Sequence, residues 1–288
     1  MSDLKEKVIE EIKKIYDPEI PVNIYELGLI YKIEILDKKK VNIDMTLTTP
    51  NCPVADSLPK MVKNNILKIG KAINAKIIFA STSDVYGMSN DLPFKEDGDL
   101  LIGPSMVKRW AYAVSKLYGE QLAYAYYKDE RLPVVILRYF GGFSARSSFL
   151  WSGGHIPIFI KAILSDEPVL IHGDGSQTRS MAYISDIVEG TLLAIENKNA
   201  VGELINIGND EEMSVLDSAK LIHRMSNTGK KLKIEFVPFS DIFGNYKDIM
   251  RRVPDLSKAK KILNWSKQLK TLSTRAGRIA RSPSYPKC

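Results

Sequence analysis

Hydrophobic residues recur at helical spacing near the start of the chain. Leu4, Val8, Ile9, Ile12 and Ile15 lie three or four positions apart among charged residues, which predicts an amphipathic helix over 4–15. Asp17-Pro18 stops it, because proline disfavours helical geometry in the residue before it. Residues 29–36 and 41–47 then alternate apolar and polar positions around Asp37-Lys38-Lys39-Lys40, predicting a hairpin. After a loop at Thr49-Pro50-Asn51-Cys52-Pro53, helical spacing resumes from Val54 to Leu67. The order αββα makes a small α+β unit.

From Ala75 the texture changes. AKIIFAST is a continuous apolar run of buried-strand type, followed by a polar loop and a long helical pattern from Trp110 to Lys128. LPVVILRYF is a second such strand. Residues 159–164 predict a helix, VLIHGDGSQTRSMAYI a strand, turn and strand, 185–196 a helix, and GELINIG another strand. This alternation predicts an α/β fold. No internal repeat or low-complexity linker is present. The join between the two textures, near residues 62–70, runs through a predicted helix. We place the boundaries at 1–66 for the small unit, 67–265 for the α/β part and 266–288 for a basic, irregular tail.

Composition narrows the function classes. The chain has 288 residues and is 44% apolar, enough to bury a core. Lys+Arg number 41 and Asp+Glu 34, an excess of 7. Lys267, Lys270, Arg275, Arg278, Arg281 and Lys287 crowd the tail with no acid among them, so the excess is partly local and does not argue for nucleic acid. Cys52 and Cys288 form neither a disulfide framework nor a CxxC metal pattern, which suits a reducing cytoplasm. The start lacks the apolar core of a signal peptide, and no apolar run approaches membrane-spanning length. The expectation is a soluble cytoplasmic protein without a membrane or nucleic-acid partner.

Candidate chemistry sits in the α/β part. Tyr112 and Lys116 in YAVSK are four apart on a predicted helix and share one face. A nearby ammonium stabilises phenolate and lowers a tyrosine toward the range of a general base; the same spacing also fits two ordinary surface side chains. The buried strand before them ends in Ser81-Thr82-Ser83-Asp84-Val85-Tyr86-Gly87, which puts hydroxyls and a carboxylate at a strand's carboxyl end, where open α/β sheets bind ligands.

FASTSDVYG, RWAYAVSK, VVILRYF, HGDGSQTRS and RRVPDLSKAKKILNW occur in an order and spacing that resembles the extended short-chain dehydrogenases, the NAD-dependent epimerase/dehydratase enzymes of nucleotide sugars, from about Ile69 to Trp265. The resemblance implies a Rossmann-type parallel sheet with a C-terminal substrate-binding region. It implies tightly held NAD, a UDP-sugar oxidised at C4, and then epimerisation or decarboxylation. It assigns Thr82 to the sugar O4, Tyr112 to the base, and Lys116 to tuning the tyrosine and holding the nicotinamide ribose, with Ser81 also at the cofactor. It assigns Arg179 to the substrate pyrophosphate, where a guanidinium forks onto phosphate oxygens, and makes Arg252 a second arginine near the pyrophosphate or the reacting sugar. Ser83-Asp84 replaces the Asp-Glu pair of the 4,6-dehydratases, which argues against dehydration. Decarboxylases carry Thr-Ser-Glu there, and Asp84 is one methylene shorter. Gly141-Gly142 stand where many relatives carry an asparagine on the sugar phosphate, and Ser144 to His155 could form a covering loop. Relatives commonly dimerise through the YAVSK helix, so a homodimer is an expectation.

The family's opening strands and glycine-rich turn have no counterpart ahead of AKIIFAST, which leaves the sheet incomplete and catalysis by this chain alone weak or nil. In front, YDPEIPVNIYELGLIYKIEI and MTLTTPNCPVADSLP resemble the small domain of SufT-like and PaaD-like iron–sulfur assembly helpers. That match rests on Asp17, Pro18, Glu19, Gly28, Thr48, Pro50, Cys52 and Pro53. It implies that Cys52 could pass on iron or a cluster; alone it cannot hold one, and a small buried side chain is the other reading.

Overall fold

The computed structural model describes residues 2–16, 22–26, 28, 30–36, 40–45, 65, 67–68, 70–71, 75–107, 109–145, 147, 149, 154–243 and 248–265. Contacts divide the chain into two compact units. One comprises Met1–Phe79, Ser115–Ile136 and Val201–Glu203; the other comprises Ala80–Val114, Leu137–Ala200 and Leu204–Cys288.

In the first unit, helix α1 (Ser2–Lys13) buries Val8 and Ile12, which lie one turn apart, and Ile15 is buried just beyond it. The Ile24 N–H donates to the Ile15 carbonyl at 2.9 Å, turning the chain back on the helix. Strands β1 (Ile30–Leu36) and β2 (Lys40–Met45) pair antiparallel with Leu36 opposite Lys40, which is the predicted hairpin. Residues 65, 67, 68, 70 and 71 are helical, so the predicted helix continues past Leu67. The expected stop at Asp17-Pro18, the motif residues Thr48 to Pro53 with Cys52 among them, and the basic tail lie outside the described residues.

The first unit also holds the start of strand β3 (Ile77–Thr82), most of helix α2 (Arg109–Glu130) and the start of strand β4 (Val134–Tyr139). A Cβ on Gly119 of α2 would lie 2.3 Å from the Phe79 ring. Only glycine lets helix and strand approach this closely. Strands β3, β4 and β9 (Leu204–Ile207) form one three-stranded sheet in that order. The rungs Gly202 to Val134, Ile136 to Glu203 and Phe140 to Ile207 climb both strands in the same sense, so β4 and β9 run parallel. VVIL and LINI are buried at every position, as expected of parallel strands covered on both faces.

The second unit is built from short elements. Strand β5 (Gly142–Phe143) pairs parallel with β8 (Ala182–Tyr183). Helix α3 (His155–Leu164) is followed by β6 (Val169–His172) and β7 (Thr178–Arg179). Helix α4 (Ile184–Glu196), β10 (Met213–Ser214), helix α5 (Val215–Ser226), β11 (Ile234–Val237), and helices α6 (Phe239–Phe243) and α7 (Ser257–Leu263) complete it. Ile156, Phe159, Ile160 and Ile163 of α3 share one apolar core with Val169 and Ile171 of β6 and Ala219 and Ile222 of α5.

Two expectations are corrected here. VLIHGDGSQTRSMAYI forms three short strands, and none pairs with another: β6 pairs parallel with β11, β7 antiparallel with β10, and β8 with β5. The helix expected from Phe159 begins at His155, after Gly154 at a φ of 80°. Pro157 lies in its first turn, where a missing N–H costs nothing. That start takes His155 out of the expected covering loop, of which residues 146, 148 and 150–153 lie outside the described residues.

Candidate active site

Strand β3 delivers the first site residues. Its buried end is Ser81-Thr82, and the chain turns at once into a 3-10 turn, Ser83–Tyr86. The Thr82 hydroxyl accepts the Asp84 N–H at 3.2 Å, capping that turn. Tyr86 anchors it from below: its ring stacks on Phe94 at 4.5 Å, and its hydroxyl donates to Asn206 Oδ1 at 2.8 Å. Gly87 closes the turn at a φ of 60° and a ψ of −128°, a backbone region suited to glycine. A Cβ there would also sit 2.1 Å from the Leu101 carbonyl oxygen. Gly87→Ala therefore combines backbone strain with a backbone collision, and an expected loss of about 1–3 kcal/mol is measurable by denaturant unfolding.

Helix α2 faces this turn with Tyr112. Its hydroxyl hydrogen-bonds the Thr82 side chain, and the residue is 51% exposed. The expected lowering of its pKa is not observed. Burial pushes it above the usual tyrosine range, the Thr82 hydrogen bond pulls it down, and the charge of Asp84 pushes it up again. Lys116, one turn further along α2, lies over the Phe79 ring with Nζ 5.8 Å from its centre, and burial lowers its pKa.

Around Asp84 the fold assembles five charged side chains that are distant in sequence. Arg252 reaches Asp84 Oδ1 at 2.9 Å and Arg109 reaches the same oxygen at 3.1 Å. Arg109 also meets Asp248 Oδ1 at 3.3 Å, and Arg179 meets Asp248 Oδ2 at 2.6 Å. The result is an alternating chain, Arg252–Asp84–Arg109–Asp248–Arg179, with three positive and two negative groups. Arg179 further donates to the carbonyls of Thr178 at 2.7 Å and Ile249 at 2.8 Å. Burial first and Arg252 second bring its pKa down to about 10, which leaves it cationic at neutral pH.

Arg179 ends this chain at a cavity of about 280 Å³ lined with His155, Met181, Asn209, Glu212 and Ser218. The His155 ring is edge-on to Phe159 at 5.3 Å. By area it is partly accessible, yet protein atoms surround it. Burial and then the neighbouring Arg179 push its pKa down to about 4, so it is neutral at pH 7.

Thr82, Asp84, Tyr112, Arg179 and Arg252, all singled out from sequence, thus come together. Ser81 and Ser83 are buried side chains, Ser83 within the turn itself. The unusual pair Gly141-Gly142 is matched to its surroundings: a Cβ would fall 2.5 Å from Met181 Sδ at the first and 2.7 Å from Ile187 Cδ1 at the second. Sequence reasoning missed Arg109, Asp248 and His155. Only Arg109 gave a signal, standing one helical turn before Tyr112. Among the described residues no group of three or more His, Cys, Asp or Glu could hold a metal ion, and no helix is long and apolar enough to cross a membrane.

Comparison with known proteins supplies the context. The model of the NAD dependent epimerase/dehydratase family matches residues 61–208, and that of iron-sulfur cluster assembly proteins matches residues 5–77. A UDP-N-acetyl-alpha-D-glucosaminuronate decarboxylase of Bacillus cytotoxicus is 39% identical over 213 residues, covering 72% of this chain and 65% of that protein. UDP-glucuronic acid decarboxylase 1 of Danio rerio is 35% identical over 201 residues, covering 70% of this chain and 46% of its own length. The chain thus spans 46% to 65% of the length of these two relatives. Among solved structures, UDP-glucuronic acid 4-epimerase from Bacillus cereus, in complex with UDP-glucuronic acid and NAD, superposes with a TM-score of 0.69. It is 32% identical and covers 81% of this chain and 70% of that one.

Proposed function

Because this chain belongs to the NAD dependent epimerase/dehydratase family, we propose that its larger part oxidises a nucleotide-linked uronic acid at C4, with epimerisation or loss of CO2 following. The observation that carries this reading is the hydrogen bond between Tyr112 and Thr82 at the buried carboxyl end of strand β3. Two hydroxyls fixed side by side can share the proton of a third, here the sugar O4–H. Thr82 orients O4, and Tyr112 accepts its proton. The relatives support the substrate class, since each named above acts on or binds a UDP-linked uronic acid. A C4 ketone places the C6 carboxylate β to a carbonyl, the arrangement from which CO2 is lost most readily.

The donor set at the end of β3 fits the nicotinamide end of NAD. By the family resemblance, Tyr112, Lys116 and Ser81 are the residues that would hold its ribose. When bound, NAD supplies the hydride acceptor for C4. Arg179 and Arg252 are the cations for the substrate pyrophosphate. Arg252 is shared with Asp84, so substrate would have to compete for its guanidinium or extend its contacts. No glycine-rich turn precedes β3 in the sequence, so NAD affinity is expected to be low.

The test is incubation of the purified full chain with UDP-glucuronate and millimolar NAD. The expected result is slow formation of a UDP-pentose with CO2, or of the C4 epimer. No conversion and no UDP-glucuronate binding would remove this reading. The match of residues 5–77 to iron-sulfur cluster assembly proteins supports a second one. It makes the front part an assembly helper acting through Cys52, and bound iron in a chain that turns over no sugar would favour it.

A further inference from the structure

The five-member charge chain contains a residue with no role in the reading above. Arg109 opens α2, and its side chain is only 9% exposed. Its two terminal nitrogens go to different carboxylates, Nη2 to Asp84 and Nη1 to Asp248. A lysine has a single terminal nitrogen and cannot bridge in this way. The bridge therefore calls for arginine.

We propose that Arg109 is a positioning residue for Tyr112: by meeting Asp84 at the same Oδ1 that Arg252 holds, it fixes that carboxylate and offsets its charge beside the phenol. The inference rests on the reading of Tyr112 as the group that takes the O4 proton. Asp84 is the one carboxylate among the groups acting on Tyr112, and it disfavours phenolate. The groups facing the phenol are Thr82 and Asp84 on the strand end and turn. Arg109 and Lys116 lie one turn before and one turn after it on α2, and Arg252, on the segment after α6, meets Asp84 Oδ1 at 2.9 Å. Asp248 and Arg179 complete the chain beyond Arg109. With both guanidiniums in place, Asp84 is compensated by Arg252 and by its share of Arg109, which also serves Asp248. With Arg109 removed, Asp84 keeps Arg252 alone, and more of the carboxylate's charge acts on the phenol.

The consequence is a coupling that passes through one named group, and a double-mutant cycle isolates it. Ionisation of Tyr112 is followed in the full chain by NMR of ring-labelled tyrosine, assigned by its loss in Tyr112→Phe, over the pH range in which the far-UV circular dichroism is unchanged. Arg109→Met is expected to move the onset of ionisation to higher pH. Asp84→Asn is expected to move it lower, and Arg109→Met in the Asp84→Asn background to move it no further. Should Arg109→Met not fold, Arg109→Lys takes its place. It keeps the charge without the fork, so a smaller upward shift is expected, and again none in the Asp84→Asn background. An unshifted onset in the Arg109 variant, or an equal shift in both backgrounds, overturns the proposal. The titration needs neither nucleotide nor turnover, so failure of UDP-glucuronate conversion leaves its outcome intact, and failure here leaves the C4-oxidation reading intact.

Discussion

Tyr112→Phe is expected to lower the rate of UDP-glucuronate conversion by at least about 100-fold, the lower end of what a positioned general base contributes, with little change in stability. The two halves of that expectation come from different observations. The residue is 51% exposed, and its hydroxyl is held through Thr82. Deleting the oxygen removes one hydrogen bond at a half-open position, for which a cost of about 0.5–1.5 kcal/mol is typical. The chemical cost is larger because the O4 proton then has no acceptor. Thr82 cannot substitute: its hydroxyl is already engaged with the Asp84 N–H at 3.2 Å, and an alcohol is a far weaker base than a phenolate. The loss should appear in kcat with KM nearly unchanged, because the phenol contributes to the transition state more than to binding. A variant that retains full turnover, or that loses turnover only through raised KM, would contradict the assignment of Tyr112 as the base.

The elevated position of the Tyr112 pKa bears on the same experiment. Burial and Asp84 both oppose the phenolate in the protein without ligands, so the free protein carries the proton on Tyr112 at neutral pH. Activity is then expected to rise with pH on the alkaline side of neutrality. The arginines of the charge chain set how far that limb extends, which is why Arg109 and Tyr112 belong to one device although only Tyr112 stands out in the sequence.

What could be read from sequence and what could not divides along physical lines. VVILRY was legible as a strand because a strand buried on both faces is apolar at nearly every position. AKIIFAST, read as the same type, is a strand over Ile77–Thr82, but at the edge of the described sheet, with Ile77, Ile78 and Phe79 half-buried and Ala80 exposed. Helix α2 was legible within two residues at either end, since its pattern persists for six turns. Strands β5, β7, β8 and β10 were not, because two residues carry no periodicity, and their partners lie tens of positions away. The start of α3 was hidden by Pro157, which reads as a breaker yet sits in a first turn that tolerates it. In the site, Thr82 and Tyr112 were legible because each lies in a local motif. The pairing of Asp84 with Arg109 and Arg252, and of Asp248 with Arg109 and Arg179, was not. Nothing local links positions 84, 109, 179, 248 and 252, and only the packing of their elements brings those charges within 2.6–3.3 Å.

Asp248→Ala is expected to be the most destabilising single change at the site, by about 3 kcal/mol or more, the range found when one partner of a buried ion pair is removed. Asp248 is 8% exposed at its side chain and serves two guanidiniums, Arg109 at 3.3 Å and Arg179 at 2.6 Å. Its loss does not affect them equally. Arg109 keeps Asp84, whereas Arg179 keeps only the carbonyls of Thr178 and Ile249, which solvate a cation without neutralising it. Burial and Arg252 already weigh against the charged form of Arg179, and Asp248 is what opposes them. In Asp248→Ala the segment carrying Ile249 should therefore loosen first, since Ile249 packs with Val107, Trp110 and Ala113 and its carbonyl receives Arg179. Asp248→Asn separates charge from shape: it retains an acceptor, so it should lose less than the alanine variant while removing the same unit of charge. Denaturant unfolding of both variants decides the matter. Equal losses would make hydrogen bonding irrelevant and charge the whole effect. A loss below about 1 kcal/mol in both, as at an exposed pair, would mean that solvent already screens the chain of charges and that its five members do not act as one.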